Sequence, residues 1–168
     1  MNFKQLPKVL IALTLAMSLL ISACGGKAST PPSGNQSVNK SAPTTVAQKA
    51  VSGSQFNKFF PKGQDGYQVV FAQEKTGFAE AKLNQGGENV AMFSINDLAN
   101  NPSAATKYQQ SSKTISGYPA VTQGKNTTAI LVANRHQVKV QSRAESFTAN
   151  DREEWLGKFN LNGLSRIK

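Results

Sequence analysis

The chain reads as an α+β protein in which an antiparallel sheet, or sandwich, carries two helices. Three observations predict this class. Short runs of alternating apolar and polar residues recur between Gly- and Asn-rich turns. Two helix-start signals interrupt those runs, one at Asn101-Pro102 and one at Asn150-Asp151. The resulting order is strands, helix, strands, helix, which suits helices laid on an antiparallel sheet rather than a parallel βαβ arrangement. All of these signals fall in residues 55–168, which form a single domain.

In chain order, Tyr67 to Phe71 begins a strand with Tyr67, Val69 and Phe71 on one face, and Gly77 interrupts it. Phe78 to Asn84 follows, with Ala79, Ala81 and Leu83 alternating against Glu80 and Lys82. Gln85-Gly86-Gly87-Glu88 is a turn. Asn89 to Asn96 is a third strand, whose near-continuous apolar run predicts burial on both faces. Asn101 as cap and Pro102 at the first position open a helix to about Ser112. Its thin apolar face of Ala104, Ala105 and Tyr108 places it on the surface. Thr114-Ile115 and Pro119 to Gln123 are short extended pieces around a Gly117-Tyr118-Pro119 turn. Thr127–Ala133 and Gln137–Ser142 read as a hairpin about Asn134-Arg135-His136, with Val138 and Val140 inward and Gln137, Lys139 and Gln141 outward. Asn150 then caps a helix from Asp151 to about Phe159, with Glu153 completing a capping box. Trp155, Leu156 and Phe159 are its buried stripe, and Asn162-Gly163 ends the ordered region with Leu164 packing back.

The residues before this domain have a different character. Lys4 and Lys8 precede an apolar stretch from Val9 to Ala23, interrupted only by Thr14, Ser18 and Ser22. At about 1.5 Å per residue such a stretch is too short for a hydrocarbon core of about 30 Å. It has instead the form of a secretory signal. The stretch ends Ile21-Ser22-Ala23-Cys24, and Cys24 is the chain's one cysteine. This segment resembles the lipobox of bacterial lipoproteins: an aliphatic residue, two small residues, then cysteine. Ile21 stands where Leu is usual. The resemblance implies removal of residues 1–23 by cleavage between Ala23 and Cys24, with lipid attached to the Cys24 thiol. The protein is then expected to be exported and held to a bacterial membrane by acyl chains, facing the periplasm or the exterior. Residues 24–54 have no acid and no aromatic residue, and are rich in Ser, Thr, Pro and Asn. That composition buries too little apolar surface to offset chain entropy, so it reads as a flexible tether. Phe59-Phe60-Pro61-Lys62, Gly77-Phe78-Ala79-Glu80-Ala81 and Ser116-Gly117-Tyr118-Pro119-Ala120 are similar to segments of small lipoproteins of unknown role found in cyanobacteria. That resemblance implies no activity.

Composition narrows the function. One Cys excludes an internal disulfide and a cysteine-based zinc site, and one His excludes a histidine cluster, so neither metal nor cofactor is expected. The net charge of +10 divides between the signal, the tether and the domain, and only half of it belongs to the domain. An exported chain does not meet the chromosome, so nucleic acid is not the expected partner. An envelope protein or an anionic surface is. Tyr118, Arg135, Lys139 and Arg143 form the candidate contact surface, with Lys125 beside the same hairpin. No Gly-x-Ser-x-Gly elbow occurs, and His136 is expected as a solvated turn residue rather than a catalytic one. Asp97 and Glu80 are a formal carboxylate pair, but Asp97 more simply begins a turn. The expected function is a non-enzymatic, lipid-anchored envelope module. The alternatives are a carrier of a small apolar ligand between sheet and helices and, last, a hydrolase using His136.

Overall fold

The computed structural model of the chain describes residues 49–168. Ala23, Cys24 and most of the expected tether lie outside the described residues. The strands are β1 (Tyr67–Lys75), β2 (Phe78–Gln85), β3 (Glu88–Asp97), β4 (Thr114–Ile115), β5 (Tyr118–Gln123), β6 (Thr127–Val132) and β7 (His136–Ser142). The α-helices are α1 (Thr106–Gln109), α2 (Ala149–Gly157) and α3 (Leu161–Leu164). The strands form one sheet in the order β1-β2-β3-β7-β6-β5-β4, and every neighbouring pair is antiparallel. Two meanders are therefore zipped together through β3 and β7. The α+β class holds.

Turn chemistry sets the hairpins. Gly86 and Gly87 take φ of 60° and 86° between the paired Gln85 and Glu88, the doubly left-handed geometry that matches the twist of two strands. The β6–β7 turn takes it without glycine: Ala133 and Asn134 have φ of 51° and 53°. The amide of Arg135 closes that turn on the Val132 carbonyl at 3.1 Å. An alanine in this region is strained, so the surroundings of the turn must hold it.

The strand period of two sorts the side chains onto two faces. On one face Ala81, Leu83, Phe93, Ile95, Ile130, Val132, Val138 and Val140 are fully buried. A 3-10 segment (Gly53–Phe59), α2 and α3 cover them with Phe56, Phe59, Trp155, Leu156, Phe159 and Leu164. Aromatic rings dominate the seam: Trp155 meets Phe93 at 5.4 Å and Tyr67 edge-on at 5.2 Å, and Phe159 meets both Phe93 and Phe60 at 5.4 Å. Each such side chain contributes roughly 1.5–3 kcal/mol by leaving water. The opposite face is covered at one end only, where Leu98, Ala105 and Tyr108 pack on Ala129 and Leu131. β3 is buried from Val90 to Ile95, and its second-face residues Met92 and Ser94 line a groove with Lys139 and Gln141 outside that cover.

Several local expectations shift. The chain joins the core earlier than residue 55, because Val51 is buried in the main cluster. A Cβ on Gly53 would run into the carbonyl oxygens of Lys75 and Phe78, so only glycine lets the chain pass this close to the β1–β2 hairpin. The helix expected from Asn101 is a 3-10 turn (Pro102–Ala105) followed by the single turn of α1. Asn101 does not cap it by its side chain. Gln137 is buried rather than outward, and its side-chain amide donates to the hydroxyl of the buried Tyr108 at 2.8 Å. The cap of α2 is Thr148 rather than Asn150, two residues early, with Asp151 closing the box. Order also continues past Gly163, through α3 and a buried Leu164.

Candidate functional site

Two arginines and one histidine hold the polar chemistry of the helix-covered side. Asp97 ends β3, and its side chain is 0% exposed. Arg135, at the mouth of β7, grips it with both prongs: Nε donates to Oδ1 at 2.8 Å and Nη2 to Oδ2 at 2.8 Å. The amide of Val51 donates to Oδ2 and that of Ala99 to Oδ1, each at 2.9 Å. Burial alone would raise the carboxyl, but the Arg135 guanidinium and these two amides outweigh it and hold it at about 2. The same pair pushes Arg135 further above its ordinary value. Arg135 also donates to the Lys49 carbonyl at 3.1 Å. This cluster is a clasp that fastens the start of the folded domain to the two central strands.

His136 is next in the chain and is 0% exposed, which overturns its placement as a solvated turn residue. The physical reason is the register: His136 pairs with Val132 and Asp97 as the first residue of β7, and its side chain falls on the covered face. Its ring lies edge-on to Phe56 at 5.8 Å, and neither ring nitrogen has a hydrogen-bond partner among the described residues. Burial lowers its proton affinity, Asp97 opposes that and Arg135 adds to it. A buried imidazole with no partner on either nitrogen has no hydroxyl to activate and no carboxylate to orient it, so it lacks the contacts of a catalytic base.

At the far end of the same face, Arg152 of α2 is 5% exposed. Its Nε donates to Thr128 Oγ1 at 3.0 Å, Nη1 to Ser142 Oγ at 2.7 Å and Nη2 to the Lys125 carbonyl at 3.4 Å. The Ser142 hydroxyl in turn donates a hydrogen bond to the Phe147 carbonyl at 2.6 Å. Among the described residues no carboxylate pairs with Arg152. It lines an open cleft of about 440 Å³ together with Lys125, Arg143, Glu145, Thr148 and Ala149. Sequence reasoning passed over Arg152. Its signal is spacing: it lies three residues before Trp155 and four before Leu156, on the stripe that faces the core.

The candidate contact residues do not share one surface. Arg135 and Arg143 stand at opposite ends of β7, about 27 Å apart at strand rise. Lys139 lies between them on the other face, in a polar groove with Glu80, Ser94 and Gln141. Burial lowers its affinity for a proton and nearby Lys107 adds to this, against Glu80. Tyr118 is half-buried and packs against the main core. What the fold does bring together is Lys125 and Arg143, at the Arg152 cleft. Asp97 and Glu80 point to opposite faces, since Glu80 pairs with Ser94 and not with a residue in phase with Asp97. Among the described residues no three His, Cys, Asp or Glu side chains could hold a metal ion, and no helix is long and apolar enough to cross a membrane. Compared with protein-family models, curated proteins and solved structures, the chain finds no match.

Proposed function

We propose that the protein is a lipid-anchored envelope module that works by binding rather than by catalysis. The observation that carries the anchor is Ile21-Ser22-Ala23-Cys24 behind a charged and then apolar leader. Acylation of Cys24 would bury fatty chains at about 0.8 kcal/mol per CH₂, and two chains give stable attachment. The tether expected from the composition of residues 24–54 would then link that anchor to the domain. The binding reading draws on how the covered face is used. Asp97 is saturated by its clasp and His136 is packed on Phe56, so both are committed to structure. The apolar faces that suggested a ligand carrier, Ala79/Ala81/Leu83 and Val138/Val140, are each 0% exposed and meet in one cluster with the helices.

The test is fatty-acid labelling and fractionation in cells. Wild type is expected to take up label and stay with the membrane, and Cys24→Ser to lose the label and either remain uncleaved or become soluble. A Cys24→Ser protein that is processed and still membrane-bound would sink the anchor. Crosslinking in intact cells tests the binding role: reproducible capture of a defined envelope component is expected, and repeated recovery of none would count against it.

A further inference from the structure

We propose that the cleft beside α2 binds a phosphate-class oxyanion, with the buried Arg152 as its fixed donor and the exposed Lys125 and Arg143 as its outer cations. This goes beyond the anchor reading and does not depend on Cys24.

Among the described residues Arg152 has no direct counterion. A guanidinium 5% exposed has lost most of its water, and burying an unpaired ion costs several kcal/mol. Arg135 meets that demand with Asp97. Among the described residues Arg152 has two hydroxyls and one carbonyl as acceptors, all neutral. A guanidinium carries five N–H groups. Three are used here, which leaves one on each Nη. Two free, coplanar N–H groups in a fixed fork are the geometry that grips two oxygens of one anion.

The walls of the cleft add to this. Lys125 and Arg143 bring two more cations, and Glu145 is the acid among the lining residues. Three positive groups against one negative leave an excess of about two charges. A phosphate monoester, at about −1.5 to −2 near neutral pH, matches that excess better than a single carboxylate. Asp151 stands one residue before Arg152, but its Oδ2 takes both the amide and the hydroxyl of Thr148, each at 2.6 Å. The Thr148 hydroxyl and amide hold the Asp151 carboxyl below its ordinary value, and Arg152 adds a smaller pull through space without a direct ion pair. The cleft is open and, at about 440 Å³, has room for a phosphate carried on a larger molecule. Both a lipid headgroup and a soluble phosphate ester present this chemistry.

The test uses the full chain in nonionic detergent, titrated with inorganic phosphate at constant ionic strength. The readout is the Nε–H resonance of Arg152 by nitrogen-15 NMR. A saturable shift of that resonance is expected. Lys125→Gln with Arg143→Gln should weaken half-saturation about tenfold or more while leaving the thermal midpoint without phosphate unchanged. Arg152→Lys should abolish saturation; should that variant fail to fold, the double variant decides. A wild-type resonance that does not saturate, or a response that the double variant leaves intact, would overturn the proposal and leave Arg152 as a brace between α2 and the sheet. The source is then read from two arms. A shift with mixed micelles of the same detergent carrying phosphatidylcholine plus phosphatidic acid, and not with phosphatidylcholine alone, assigns a lipid headgroup. A shift with glycerol 3-phosphate and with neither kind of mixed micelle assigns a soluble ester.

Discussion

Arg135 and Arg152 sit toward opposite ends of the same sheet face and solve the problem of a shielded guanidinium in different ways. Arg135 is neutralised in place, by a carboxylate that two backbone amides also hold. Arg152 is solvated by hydroxyls and a carbonyl, which orient it without cancelling its charge. The first arrangement is closed: every oxygen of Asp97 has its donors. The second leaves charge and hydrogen-bonding capacity at the wall of a cleft. The lesson is that burial of a cation does not by itself mark structure or function. The identity of its acceptors does.

The contrast breaks most visibly at Asp97. Asp97→Ala strands Arg135 and the Val51 and Ala99 amides at once, and is expected to cost about 3–5 kcal/mol in urea unfolding. Its pH signature has a definite sign. The carboxyl titrates at about 2 when folded against an ordinary 3.8, so its stabilisation is complete above about pH 4. It fades as pH falls from there toward 2, and amounts to about 2 kcal/mol when complete. Arg152→Leu should cost less, about 1–3 kcal/mol, because it removes hydrogen bonds without leaving a stranded ion. A larger loss than for Asp97→Ala would show that the two sites had been ranked the wrong way round.

His136 refines the closed end of the comparison. Both of its nitrogens are buried without partners, so His136→Leu is expected to raise stability by about 1–2 kcal/mol at neutral pH. Burial lowers the folded affinity for a proton below the ordinary value of 6.5. The unfolded chain therefore protonates first, and wild type should lose stability as pH falls below 6.5. The His136→Leu variant should lack that slope, which denaturant midpoints measured across the window would show. At the other end, Thr148→Ala removes the cap that fixes the helix carrying Arg152, for about 1 kcal/mol. Asn150→Ala, by contrast, should fall within about 0.5 kcal/mol of wild type, as an exposed residue outside the cap.

What was legible in the sequence was what is local. The β6–β7 hairpin with Val138 and Val140 inward, the Gly86-Gly87 turn and the buried Trp155, Leu156 and Phe159 follow from neighbours within a few residues, and these stand. The clasp was hidden because Asp97 and Arg135 are 38 residues apart, and only the β3–β7 pairing that joins the meanders brings them together. His136 was misplaced for a related reason. As part of a turn it should be wet, but a turn of Ala133 and Asn134 ends one residue sooner and makes it the first residue of a strand. Gln137 looked outward because the alternation assigns it to the second face, and the sequence carried no strong sign that Tyr108 would cover that face. The α2 cap slipped by two residues because Asn150 and Thr148 are both good caps, and the closing acid proved to be Asp151 rather than Glu153.

The clasp also has a mechanical meaning. A pull on the chain ahead of Lys49 reaches the domain through the Lys49 carbonyl, held by Arg135, and through Val51, whose amide is held by Asp97 and whose carbonyl accepts from Gly77 at 2.6 Å. Asp97 closes β3 and Arg135 leads into β7, so the load enters at the ends of the two central strands, with the Gly77 bond passing a share to the β1–β2 turn. Several bonds must then yield together instead of one after another. An attachment at this point resists peeling, because a pull from the N-terminal side is borne largely by the middle of the sheet.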